Sequence, residues 1–159
     1  MSNRRKPRRS GRRLRILAGI LFVFYLLLLI YLVFFVYVRQ EVMAMGELQY
    51  NLVPFREIGR YYHYQNGNFN FLTLTNLYGN ILMFMPFGFL LPAFVPRLRR
   101  FFPMVILAFF ASLLIELMQL YTHRGVFDVD DIILNTIGGA VGTVILLIAA
   151  GVRRFSRKR

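Results

Sequence analysis

The sequence predicts an all-α, polytopic membrane protein with four transmembrane helices and both termini in the cytoplasm. Three observations predict it. Of 159 residues, 57% are hydrophobic and 17% charged, where a soluble domain carries roughly a quarter charged residues. Mean hydropathy is +0.53, and the apolar residues gather into segments long enough to cross a bilayer. The basic residues, which give a formal net charge of +13, then sort almost entirely to one side of that layout. A chain without cysteine has no disulfide, thiolate metal site or Cys nucleophile.

Residues 1–15 hold eight Lys and Arg and form a basic cytoplasmic tail. Span one is 16–38, a run without a charge that extends roughly 35 Å as a helix, enough for a ~30 Å hydrocarbon core. A cleaved signal peptide is the competing reading, with Ala44-Met45-Gly46 as its cleavage-like site. The run exceeds the ~7–15 apolar residues of a signal peptide, so an uncleaved anchor is expected. The turn-like Asn66-Gly67-Asn68 leads into span two, about 74–95, which contains Pro86, Gly88 and Pro92. Each proline removes a backbone hydrogen bond and crowds the preceding turn, so this span is expected to be kinked or broken.

Span three is 101–121, interrupted by one acid, Glu116. Span four is 132–152, opening after Asp128, Asp130 and Asp131, which by default read as helix-capping, solvated carboxylates. Gly138 and Gly142 in it are a small-xxx-small pair that permits close helix packing, within the chain or in a homo-oligomer. Residues 153–159 form a second basic tail, so that 16–152 is the membrane domain. Sixteen of the twenty Lys and Arg then lie on the side of the termini, which the positive-inside rule assigns to the cytoplasm.

The same distribution argues against nucleic acid as the partner of the basic tail. A basic segment beside a transmembrane helix is a topology determinant that lies on anionic lipid headgroups. The tail also has no interleaved aromatics, finger spacing or glycine-rich phosphate loop. Membrane lipids are the expected partner, and no cofactor or metal site is implied.

A polar side chain inside a span needs a reason. An acid at mid-helix costs on the order of 2.5–3.5 kcal/mol on the insertion scale. Asn80, Glu116 and Asn135 sit at a common depth, roughly 5–9 Å inside their spans at helical rise, all from the extracytoplasmic side. Each has a same-face neighbour: Asn76 with Asn80, Gln119 and Ser112 with Glu116, Asp131 with Asn135. Three helices thus point polar stripes at one level, the signature of an outward-opening pocket. For each asparagine alone, inter-helix hydrogen bonding is an equal explanation. Glu116 needs protonation or a cation, for which Arg124, Arg56 and Arg60 are candidates. His123 reads as a surface histidine, and Tyr61, Tyr62, Tyr64 and Tyr121 as an interfacial aromatic belt.

Several ordered motifs then carry a family resemblance. They are Asn51-Leu52-Val53-Pro54-Phe55, the stretch from Asn80 through Met85-Pro86-Phe87-Gly88 to Pro92, and the block from Glu116 to Gly142. In that block Glu116, Gln119, Arg124, Asp128, Asp131, Asn135, Gly138, Gly139 and Gly142 fall at the spacing of the VanZ-like membrane proteins, which the chain resembles from about Asn51 to Gly142. The resemblance implies a small multispanning protein of the bacterial cytoplasmic membrane. The family's namesake is associated with resistance to teicoplanin, a lipid-bearing glycopeptide, without remodelling of the peptidoglycan terminus that vancomycin recognises.

The pocket residues are therefore Asn80, Glu116, Gln119, Arg124, Asp128, Asp131 and Asn135. The expected ligand is an amphipathic molecule at the outer leaflet, a lipoglycopeptide or a lipid-linked cell-wall precursor. Two other readings stay open. In one, a membrane-embedded enzyme uses Glu116, Asp128 and Asp131, with His123 nearby, as oxygen ligands to a divalent cation or as an acid or base. In the other, the helices form a structural bundle. No inverted repeat supports a stand-alone transporter.

Overall fold

The computed structural model describes residues 9–36, 50–56, 59 and 71–156. Asn66-Gly67-Asn68, Tyr61, Tyr62, Tyr64, Arg60, the side chain of Asn76 and the basic residues before Arg9 lie outside the described residues. Four helices cover most of the rest: α1 (Arg9–Tyr31), α2 (Phe71–Phe94), α3 (Phe101–Tyr121) and α4 (Val129–Ser156). Each contains a stretch long and apolar enough to cross a membrane, namely Gly11–Phe35, Leu77–Phe94, Phe101–Tyr121 and Val129–Arg153. Helix α1 continues into a π-helical turn, Leu32–Val36. Two short strands, β1 (Tyr50–Asn51) and β2 (Phe127–Asp128), pair in parallel with Asn51 opposite Asp128, a pairing that the apolar periodicity does not reveal.

Contacts fix the helix directions. Along α1, Phe22 meets Phe87 and Tyr25 donates a hydrogen bond to the Met83 carbonyl, so residue numbers fall along α2 as they rise along α1. These two helices are antiparallel. Gly138 faces Ile81 and Gly142 faces Met85, so α2 and α4 are parallel. Ala108 against Gly139 and Ser112 against Asn135 make α3 and α4 antiparallel. One end of the bundle therefore collects Arg12, Arg13, Arg15, Arg97, Arg99, Arg100 and Arg153. The other collects the four acids Glu116, Asp128, Asp130 and Asp131.

Glycine governs the seam between α2 and α4. A Cβ on Gly142 would lie 2.0 Å from the Met85 carbonyl oxygen, and one on Gly138 would lie 2.2 Å from that of Ile81. Because these are backbone atoms, neither neighbour can rotate away. The small-xxx-small pair is thus buried within the chain and is not available to a second copy. Beside this seam Phe22, Phe84, Phe87, Met104 and Ala108 form the apolar core with Leu29, Val33 and Phe34.

Span two is neither broken nor interrupted at its prolines: Pro86 and Pro92 both lie inside α2. In an unmodified helix the Gly88 carbonyl would accept the N–H of residue 92, which proline lacks. The Thr143 hydroxyl stands 3.1 Å from that carbonyl and 2.8 Å from the Gly139 carbonyl of its own helix. The single hydroxyl proton is shared between the two carbonyls, so a neighbouring span makes up part of what proline withholds, as membrane interiors require.

Candidate functional site

Helix α4 begins earlier than the apolar run, because Asp128 caps it. The Asp128 carboxylate accepts the Asp130 N–H at 2.9 Å, the N-cap bond to the second helical residue. The same oxygen accepts from Asn51 Nδ2 at 3.2 Å. The acids are not a solvated cluster: Asp130 is 0% and Asp128 1% exposed. Asp130 takes the backbone N–H of Phe55, a residue with φ 63°, where a bulky side chain is strained. The polypeptide after span one thus folds back and hands backbone and amide donors to carboxylates that would otherwise be buried alone.

Glu116 is 3% exposed and accepts the backbone N–H of Asp128 at 3.1 Å. A carboxylate on α3 therefore helps to fix the strand that leads into α4. Asn80 of α2 donates to Asp131 of α4, and Asn135 donates to the Ser112 hydroxyl of α3 at 2.9 Å. Among the described residues no buried side-chain nitrogen or oxygen lacks a hydrogen-bond partner, as expected where each orphan would be costly.

Arg124 does something else. Helix α3 ends with the His123 N–H on the Leu120 carbonyl and the Arg124 N–H on the Gln119 carbonyl. This is a Schellman turn with His123, at φ 53°, in the left-handed position usually taken by glycine. The turn aims Arg124 at α1, where its guanidinium donates to the Phe34 carbonyl at 2.8 Å and lies 5.0 Å from the Phe35 ring centre. It thus satisfies one of the terminal carbonyls of the first span. His123 itself is exposed.

Among the seven residues expected to form the pocket, Asn80, Glu116, Gln119, Asp131 and Asn135 line one cavity of about 100 Å³ at the acidic end. Leu29, Val33, Met83 and Phe84 supply an apolar wall. Asp128 and Arg124 do not line it. Asp128 braces Glu116 and α4 from behind, and Arg124 ties α1 to α3. Sequence reasoning did not place Asn51, Phe55, Asp130 or Thr143 in this architecture. Their partners lie 55 to 77 residues away in sequence, a distance that no local pattern reports. No group of three or more His, Cys, Asp or Glu suited to holding a metal ion occurs among the described residues.

A family model described as VanZ/LLP1 matches residues 22–150. The chain belongs to the VanZ/LLP1 family. It is also 31% identical over 132 residues to Protein VanZ of Enterococcus faecium, an alignment covering 80% of this chain and 72% of that protein. No solved structure matches it. The matched region takes in every residue of the acidic end described above and the whole glycine seam. Arg15 and Arg153, near the opposite end, fall outside it.

Proposed function

We propose that this VanZ-family protein captures the polar, hydrogen-donating part of an amphipathic molecule in the cavity at its acidic end, with that end at the outer leaflet. The observation that carries the reading is the convergence of five polar side chains from three spans on one cavity. Positive-inside charge asymmetry supports the orientation.

The chemistry of the lining narrows the ligand. Two carboxylates and three carboxamides face the cavity, and no basic residue lines it, which suits an amine, amide N–H or hydroxyl and repels a phosphate. At about 100 Å³ the space is well below the ~300–1,000 Å³ typical of sites that enclose a drug-sized ligand. Only a fragment enters, while the apolar remainder lies along the membrane-facing helices. A lipoglycopeptide such as teicoplanin, named by the family resemblance, has this division into polar and lipid parts, and so does a lipid-linked cell-wall precursor.

The test uses Glu116→Gln, which retains an oxygen to accept the Asp128 N–H while removing the charge. Wild type and variant are expressed at matched membrane levels in a glycopeptide-susceptible Gram-positive host. Protection against teicoplanin but not vancomycin is expected from the wild type and is lost in the variant. Undiminished protection by a well-inserted variant would overturn the role of the cavity, and absence of protection by the wild type would remove the lipoglycopeptide as ligand.

A further inference from the structure

At the opposite end of the bundle a second and larger cleft, about 450 Å³, opens between α1, α2 and α4. Its walls are apolar, with Leu17, Leu21 and Leu146 among them, and its rim carries three arginines, Arg15, Arg99 and Arg153, one from α1, one after α2 and one from α4. All three are exposed. No Asp or Glu side chain occurs in residues 1–40, 58–115 or 132–159, the segments that build this end. Arg99 is also held in place, its Nε donating to the Pro92 carbonyl at 2.9 Å and a terminal nitrogen to the Ala93 carbonyl at 3.2 Å.

We infer that this cleft seats one anionic phospholipid, with its phosphate among Arg15, Arg99 and Arg153 and its acyl chains against the apolar walls. Charge complementarity selects the occupant. Three cations around an apolar slot between transmembrane helices, at headgroup level, fit a molecule that is anionic at one end and aliphatic at the other. A zwitterionic lipid brings a compensating cation to the same rim and loses that advantage. The site is separate from the acidic cavity, and two of its three arginines lie outside the family match.

The purified full-length protein in detergent is titrated with phosphatidylglycerol, with phosphatidylcholine of the same acyl chains, and with inorganic phosphate, and bound species are counted by native mass spectrometry. Arg15→Gln with Arg153→Gln removes two rim charges and spares Arg99, which also caps α2. Arg12→Gln with Arg13→Gln removes the same charge from the same end without touching the cleft. One retained phosphatidylglycerol is expected, bound roughly 30-fold more weakly by the rim variant and unchanged in the control. Equal weakening in both variants would show diffuse attraction instead of a site. Equal retention of phosphatidylcholine, or equal affinity for inorganic phosphate, would likewise overturn the proposal, the first by removing charge selection and the second by removing the lipid.

Discussion

Where α3 stops and α4 starts, side-chain hydrogen bonds join Asn51 to Asp128, Asn80 to Asp131 and Arg124 to Phe34 across 77, 51 and 90 residues of sequence. At the other end, Arg99 reaches back six and seven residues to carbonyls of the helix it follows. Long-range polar bonds fix the acidic end as a small, preorganised cavity, because each buried group there has its partner specified. The basic end is shaped by apolar helix packing and keeps exposed charges around a wider cleft. The comparison teaches that one bundle can carry a small cavity lined by acids and amides at one end and a wider, arginine-rimmed cleft at the other, because different interactions build its two ends.

The glycine seam that joins the ends should break both together. Gly142→Ala places a methyl against the Met85 carbonyl and the Phe89 nitrogen, backbone atoms that cannot yield without moving α2. A loss of about 3 kcal/mol or more is expected, the upper range for overpacking, read by equilibrium unfolding in SDS-containing mixed micelles. Near-normal stability would mean that α2 and α4 pack more loosely than the seam shows.

A cut at one end should separate the two. Asp128→Ala removes the α4 cap and strands the Asn51 amide, an expected cost of about 2–4 kcal/mol. Teicoplanin protection should disappear, while retention of phosphatidylglycerol at the basic cleft persists in the protein that remains folded. Loss of both functions in folded protein would show that the ends are coupled, and the comparison would fail.

Much of this was legible in the sequence. Long apolar runs reveal span number at any register, and α3 begins and ends at the expected residues 101 and 121. The common depth of Asn80, Glu116 and Asn135 located the acidic end because helical rise converts sequence position to depth. What stayed hidden depends on partners far along the chain. Three acids in four positions look solvated until Asn51 and the Phe55 N–H arrive from the loop after span one. Arg124 looks like the counter-ion of Glu116 until the Schellman turn aims it at Phe34. The prolines look like breaks until Thr143 is placed beside Gly88.

The smallest effect tests that last point, and with it the assumption that the middle of the bundle is neutral between the ends. Thr143→Val keeps the volume but removes the hydroxyl near the Gly88 carbonyl, which Pro92 cannot serve and which then faces apolar protein. The bond it deletes is shared with the Gly139 carbonyl of its own helix, and its inter-helical arm lies inside a membrane, where such bonds average about 0.6 kcal/mol and reach about 1.7. Because the carbonyl is left unpaired in a buried seam, about 1 kcal/mol is expected, again in mixed-micelle unfolding. Adding Pro92→Ala supplies the missing N–H from within α2, so the double variant should recover most of that loss. If it recovers nothing, the Thr143 contact is incidental to the proline, and continuity of α2 rests on helix packing alone.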